Sequence, residues 1–145
     1  MKSYLLKCIL ALACLALVSI PMSGQDARRG GGSTGGSGCA VVQTPRLSTT
    51  TTTIEANASV GVFGKVTNCA SGKKRYTVTG SSVSSCGEET VFASGVMSFA
   101  GGETKNISVA YPIAPDTCKG LMTVSISVYE SGTMLGIGST TLTVQ

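Results

Sequence analysis

The sequence contains no histidine and no tryptophan, and only 12% of its 145 residues are charged. Without histidine, the chain lacks the commonest general base and the commonest metal-ligating side chain. Its serines have no candidate base to activate them, and its acidic residues fall in predicted turns without a catalytic partner. No Cys-x-x-Cys motif is present, which argues against a zinc or dithiol redox site. We therefore expect a non-catalytic protein with no metal and no cofactor.

The chain also lacks a concentration of charge. From Cys39 onward, seven basic side chains stand against six acidic ones, which leaves a net charge of +1. A protein that binds nucleic acid needs a strong positive field, and a charge of +1 does not supply one. Nucleic acid is therefore not an expected partner.

A long hydrophobic run is the third absence. The longest apolar run, Cys8 to Ile20, has 13 residues. A membrane-spanning helix needs roughly 20. Lys2 and Lys7 precede the run and small residues follow it up to Gly24, as in a secretory signal peptide. We predict a signal peptide over residues 1–24, a secreted protein, and no membrane span after cleavage. The alternatives are a membrane anchor and a lipoprotein signal that ends at Cys14.

The segment that follows, residues 25–38, ends in GGGSTGGSG. Such a composition offers almost no apolar surface to bury, so the chain cannot gain enough from folding to offset the loss of conformational entropy. We predict a flexible Gly/Ser-rich tether ahead of one domain over residues 39–145.

A period of two dominates that domain. In the stretch from Ser59 to Cys69, Val60, Val62 and Val66 share one parity, which predicts a strand with one buried face. Gly64 falls on the buried parity, where a missing side chain lets a neighbour on a facing sheet approach. Five later segments repeat the pattern: Arg75–Gly80, Val91–Phe99, Thr104–Tyr111, Leu121–Tyr129 and Met134–Val144.

Two of the strands carry further signals. Leu121–Tyr129 has the clearest alternation, which predicts that four of its residues are buried: Met122, Val124, Ile126 and Val128. In the last segment the apolar parity shifts, which predicts a β-bulge near Gly138.

Residues 40–56 contain Pro45 and five consecutive threonines. Threonine favours strands, and proline within such a run marks an edge strand or a switch between sheets. We predict a first strand pair broken at Pro45; the alternative is a disordered, O-glycosylated stalk. About seven strands in one short domain predict an all-β fold, a single immunoglobulin-like Greek-key β-sandwich.

Four cysteines remain after the signal peptide: Cys39, Cys69, Cys86 and Cys118. An even number in an exported domain predicts disulfides, with three connectivities available. Alternating strand directions place Cys39 and Cys69 at one end of the sandwich, and Cys86 and Cys118 at the other. Any other pairing would span a strand, on the order of 20 Å, whereas a disulfide joins Cα atoms about 5.5 Å apart. We predict two disulfides, Cys39–Cys69 and Cys86–Cys118.

Three short runs resemble a known group of domains. GVFGKVTNC in the strand from Ser59, AGGET before a later strand and CKG before the penultimate strand are similar to secreted bacterial Ig-like domains of the cell-adhesion-related, CARDB type. The resemblance covers roughly Ala56 to Gln145 and implies a secreted or cell-surface β-sandwich. The absence of tryptophan and the cysteines at strand ends separate the chain from antibody domains.

Two functions outside catalysis remain open. One is a structural or adhesive cell-surface module that contacts an extracellular protein or a surface polymer. The other is a soluble binding protein, such as an enzyme inhibitor, that acts through loops at one end of the sandwich. The predicted loops are short, polar and rich in glycine, which favours the first.

The strand directions also sort the charges. Lys73, Lys74 and Arg75 fall at the end that holds Cys39, while Glu88 and Glu89 fall at the opposite end. Opposite charges at the two ends predict weak head-to-tail self-association that builds chains and weakens with salt. The alternative is that charges collect in solvated turns by chance.

Overall fold

The described part of the protein is built from β-strands. A computed structural model describes residues 38–55 and 58–145, so the predicted signal peptide and nearly all of the predicted tether lie outside the described residues. Between them, the described residues contain nine strands and no helix. The strands are β1 (Ala40–Val42), β2 (Arg46–Leu47), β3 (Thr51–Thr52), β4 (Ser59–Asn68), β5 (Lys74–Val83), β6 (Glu89–Phe99), β7 (Thr104–Pro112), β8 (Gly120–Glu130) and β9 (Thr133–Val144).

The strands form two sheets. In the four-stranded sheet, β4 lies in the centre, with β7 along one edge and β1 followed by β2 along the other. The five-stranded sheet has the order β3-β9-β8-β5-β6. Because β4 pairs with β7 and β5 pairs with β8, the chain crosses between the sheets in Greek-key fashion. The predicted all-β, immunoglobulin-like sandwich is confirmed, with nine strands in the described residues where about seven were predicted.

The first predicted strand pair is divided into three short strands. β1 and β2 both pair with β4, and the buried Pro45 interrupts the ladder between them because proline has no N–H to donate. The chain then changes sheet, and Thr51 and Thr52 pair in parallel with Thr143 and Val144 of β9. The switch between sheets is therefore confirmed, and these two threonines lie in a strand rather than in a stalk.

The core lies where β4 faces β8. Val60, Val62 and Val66 are fully buried, as their spacing predicts. The predicted inward residues of β8, Met122, Val124, Ile126 and Val128, are also buried. A side chain on Gly64 would begin 2.5 Å from the Cδ1 atom of Ile126, so the predicted close approach of a facing neighbour is confirmed.

The predicted bulge near Gly138 is wrong in position. The register passes from Val128 opposite Gly136 to Tyr129 opposite Met134, so the extra residue is Leu135. Gly138 lies in the regular ladder instead. A Cβ atom there would lie 2.7 Å from the carbonyl oxygen of Gln43, so a close approach of backbone, and not a bulge, explains the glycine.

Both predicted disulfides are confirmed. Cys39–Cys69 closes one end of the sandwich, which we call the upper end, with a Cα–Cα distance of 5.0 Å. Cys86–Cys118 closes the opposite end, the lower end, with a Cα–Cα distance of 6.1 Å. The disulfide pairing was predicted from alternating strand directions. The structure has these directions, because every strand that pairs with β4 or with β8 is antiparallel to it.

Candidate functional site

A buried asparagine organises the loops of the upper end. The side-chain nitrogen of Asn68 donates hydrogen bonds to the carbonyl oxygens of Gly72 and Ala100, at 2.9 and 2.8 Å. Its Oδ1 atom accepts from the N–H of Ala70 at 3.0 Å and from the Tyr76 hydroxyl at 2.8 Å. Burial raises the pKa of the Tyr76 phenol, so the hydroxyl remains a donor. Because every polar atom of the Asn68 side chain has a partner, this buried amide is compatible with a stable core.

Glu130 fixes the point at which the chain enters the domain. One carboxylate oxygen accepts a hydrogen bond from the N–H of Gly38 at 2.6 Å, and the other accepts from Lys74 Nζ at 3.0 Å. The Lys74 hydrogen bond is the main cause that holds the pKa of Glu130 below its ordinary range, against partial desolvation. A side chain on residue 38 would meet the Glu130 carboxylate and the Cδ1 atom of Leu135, so both side chains would have to shift to admit it.

The predicted charged residues lie at the two ends of the sandwich. The positive charge of the upper end is partly neutralised by Glu130. Lys73 and Arg75 are exposed, whereas Lys74 is paired with Glu130 within the same end. Glu88 and Glu89 are exposed at the lower end. These side chains lie in loops and at strand ends and do not converge on one shared cavity, so their role in self-association stays a prediction.

An apolar cleft opens along one side of the sandwich. The five-stranded sheet is wider than the other sheet because β1 and β2 share a single edge of β4. The inner face of β6 is therefore only partly covered, and a cavity of about 330 Å³ lies between β6 and β7. The side chains that face it are Val62, Val78, Phe92, Met97, Val109 and Ile126.

The strand beside this cleft has an unusual edge. β6 pairs only with β5 among the described strands, so one side of its backbone has no strand partner. A bulge at Phe92 places the ring of this residue against Gly80, and a Cβ atom on Gly80 would lie 2.6 Å from the ring. The centroids of the Phe92 and Tyr111 rings are 4.6 Å apart. After the bulge, residues 93–99 contain no charge and no proline. Charges, prolines and bulges are the usual features that prevent an edge strand from pairing, and this stretch has none.

A second depression lies on the outer face of the four-stranded sheet. It has a volume of about 320 Å³. Its lining includes Arg46 of β2, Phe63 and Lys65 of β4, and Asn106 and Ser108 of β7. The register places Phe63 directly between Arg46 and Ser108, and Lys65 opposite Asn106. We call this set the outer-face depression.

Neither cavity has the residues of a metal site. Among residues 38–55 and 58–145, no group of three or more histidine, cysteine, aspartate or glutamate side chains could hold a metal ion. In the same residues, no helix is long and apolar enough to cross a membrane.

Sequence periodicity alone did not predict three of these features. Asn68 shares the inward parity of Val62 and Val66, which could have marked it as a buried polar residue. The cleft depends on the unequal widths of the sheets, which no single strand encodes. The outer-face depression depends on the register of three strands. The sequence indicated only that Phe63 and Lys65 share the outward parity of their strand.

Comparison with known proteins supports the fold. No protein-family model matches the sequence, and a search of curated proteins finds no match. Among solved structures, the CARDB domain of a Pyrococcus furiosus protein, whose crystal structure is a complex with di-metal ions, has a TM-score of 0.56 and 14% identity. The similarity covers 74% of this chain and 93% of that domain.

Two enzymes contain a similar domain. The alkylpurine DNA glycosylase AlkC of Pseudomonas fluorescens has a TM-score of 0.60 and 16% identity over 73% of this chain. A β-glucosidase from Erythrobacter marinus has a TM-score of 0.58 and 10% identity over 74%. The chain spans only 30% and 16% of these two proteins, so it resembles one domain of each. The comparisons establish a β-sandwich fold similar to that of the CARDB domain.

Proposed function

We propose that the protein is an exported, non-catalytic immunoglobulin-like module that binds another extracellular protein. In this proposal, β6 accepts an extended segment of the partner as an added strand, and the cleft between β6 and β7 receives its apolar side chains. The observation that carries the proposal is the coincidence of an uncharged, unpaired strand edge with an apolar cavity of about 330 Å³.

The other edges are less suited to strand addition. β7, at the edge of the opposite sheet, carries Lys105 and Asn106 and ends at Pro112, and both charge and proline discourage pairing. β2 and β3 have only two residues each. By contrast, β6 has 11 residues, and Val96 in its centre is 61% exposed.

Strand addition also predicts the chemistry of the partner. An extended segment would form backbone hydrogen bonds with the free edge of β6, and alternate side chains would point to opposite faces. Side chains on the inner face would reach Phe92 and Met97 in the cleft, and those on the outer face would lie beside Val96. The expected partner therefore presents a segment with apolar residues at every second position.

The two disulfides support an exported location, because such bonds form and persist in oxidising compartments. The predicted signal peptide requires that the mature chain begin near Gly24. Intact mass of the exported protein should place the first residue between Ser23 and Ala27, and a lipid-modified Cys14 or an intact Met1 would contradict export by this route.

Strand addition can be tested with peptides selected on the folded protein from a displayed library. Selected peptides should contain alternating apolar residues, and their binding should slow hydrogen exchange at the amides of residues 93–99. Val96→Lys should weaken binding by at least about tenfold because it introduces a charge beside the edge.

Ile137→Lys is the matched control. Ile137 lies on the same outer face and is 53% exposed, but two strands, β8 and β5, separate its strand from β6, so this variant should bind normally. If the protection from exchange instead falls in the loops at residues 84–88 and 113–119, the protein binds through one end of the sandwich, as an inhibitor would. That result would overturn strand addition.

A further inference from the structure

The outer-face depression combines two cations with no acidic neighbour on its sheet. Arg46 and Lys65 are both exposed, and neither forms an ion pair with another described residue. The four strands of this sheet, β1, β2, β4 and β7, contain no aspartate and no glutamate. The face therefore attracts anions although the domain as a whole is nearly neutral.

An aromatic ring lies beside these cations and over Gly61. A Cβ atom on Gly61 would lie 2.9 Å from Cζ and 3.0 Å from Cε2 of Phe63, so the ring covers the backbone of its own strand. The glycine makes this orientation available because it has no side chain. Phe63 remains 46% exposed, so one face of the ring is open to a ligand.

The strand register sets the spacing of the polar groups. Arg46 lies beside Phe63 on the neighbouring strand, and Lys65 lies two residues further along β4. With strands about 4.8 Å apart and a rise of about 3.4 Å per residue, the Cα atoms of Arg46 and Lys65 are about 8 Å apart. Asn106 and Ser108 border the same area from β7, and their side chains can both donate and accept hydrogen bonds.

We propose that the outer-face depression binds a carboxylated oligosaccharide, a short stretch of an acidic polysaccharide. The apolar C–H face of one sugar ring stacks on the open, electron-rich face of Phe63. The planar guanidinium of Arg46 binds the carboxylate of that sugar, and Lys65 binds the carboxylate of a neighbouring sugar. Asn106 and Ser108 hydrogen-bond to sugar hydroxyl groups.

Each of these groups helps to select the ligand. A small inorganic anion would use the cations but not the ring of Phe63. A neutral sugar would use Phe63 but neither cation. A single-stranded nucleic acid also uses stacking and positive charge, and the choice of a carbohydrate over a nucleic acid rests on the exported location proposed above.

The test is a titration of the ¹⁵N-labelled protein, produced by export from a host that does not attach N-glycans. Hexamers of galacturonic, mannuronic and glucuronic acid are the probes, and the fully methyl-esterified galacturonate hexamer is the uncharged control. At least one acidic hexamer should shift the amide signals of residues 43–46, 61–65 and 106–108. Esterification should weaken that binding at least about tenfold, because the charge-assisted hydrogen bonds are lost.

Three exposed side chains supply the variants. Arg46→Gln and Phe63→Ser should each weaken binding about tenfold, and Lys65→Gln should weaken it less and reduce its dependence on salt. Arg75→Gln removes an exposed arginine from another part of the surface and should leave the affinity unchanged. Unchanged thermal melting of all four variants would show that the fold is intact.

The proposal is overturned if none of the acidic hexamers binds, if the esterified hexamer binds equally well, or if Arg75→Gln weakens binding as much as Arg46→Gln. Tighter binding of a thymidylate hexamer than of every acidic sugar would also overturn it, in favour of a nucleic acid. Strand addition at β6 is tested separately, because Val96→Lys should leave carbohydrate binding unchanged.

Discussion

The Cδ1 methyl group of Ile126 occupies the space in which a side chain at residue 64 would begin, and the two strands that carry these residues belong to different sheets. The distance from an ideal Cβ at residue 64 to this methyl group is 2.5 Å, which no relaxed contact allows. We expect Gly64→Ala to reduce the free energy of unfolding by about 1–3 kcal/mol through overpacking. Urea denaturation monitored by circular dichroism measures this change.

Two further variants separate overpacking from a general effect of alanine. Ile126→Val removes the methyl group that alanine at residue 64 would meet, so the double variant should be less destabilised than the sum of the two single variants. Gly95→Ala is the matched control, because a Cβ at that position meets nothing within 4 Å. A loss of stability in Gly95→Ala equal to that in Gly64→Ala would contradict this explanation.

The two disulfides should contribute independently to stability. Each closes a loop of similar length, with sequence separations of 30 and 32 residues. In the chain-entropy model, such a loop stabilises the folded state by about 3–4 kcal/mol. Paired Cys→Ser variants of each bond should show this loss, and because the bonds lie at opposite ends, the two losses should add within about 0.5 kcal/mol. A clearly non-additive result would mean that the two ends are coupled through the core.

Glu130 should make the protein less stable in acid. Its pKa in the folded state lies below the ordinary value of 4.5 because of its hydrogen bonds to Lys74 and Gly38. A lowered pKa means that the contribution to stability is complete above the unfolded pKa and is lost as pH falls through the folded pKa. Thermal melting should therefore show a loss of stability below about pH 4.5 that is reduced in Glu130→Gln. Glu89→Gln, which changes an exposed carboxylate at the lower end, should retain the acid dependence of the native protein.

The charged ends should cause weak association only at low salt. Lys73 and Arg75 are exposed at the upper end, and Glu88 and Glu89 are exposed at the lower end. A Lys73→Ser/Arg75→Ser variant removes these cations but keeps the Lys74–Glu130 pair at 3.0 Å. Light scattering should show chains of the native protein at about 0.01 M salt, where the Debye length is about 30 Å, and monomers at about 0.15 M. A native protein that stays monomeric at every salt concentration would refute head-to-tail association.

The sequence predicted those features that depend on one strand at a time or on the order of strands. Alternating valines identified β4, and the directions of the strands predicted both disulfides. The bulge was misplaced because Ile137 is apolar although it faces outward and is 53% exposed, and only the register with β8 places the extra residue at Leu135. Arg46, Phe63 and Asn106 lie far apart in the sequence, and no periodicity indicates that three strands bring them to one face.

The positions of the two disulfides also limit how far the domain can be stretched. A pulling force that enters at residue 38 passes through the Cys39–Cys69 bond directly to β4, so β1 cannot be peeled away alone. Even after complete mechanical unfolding, the loops of 30 and 32 residues stay closed. At about 3.4 Å per residue, the oxidised domain would therefore extend about 200 Å less than the reduced one. Under tension, the oxidised domain would therefore keep a bound partner closer to the point where the force is applied than the reduced domain would.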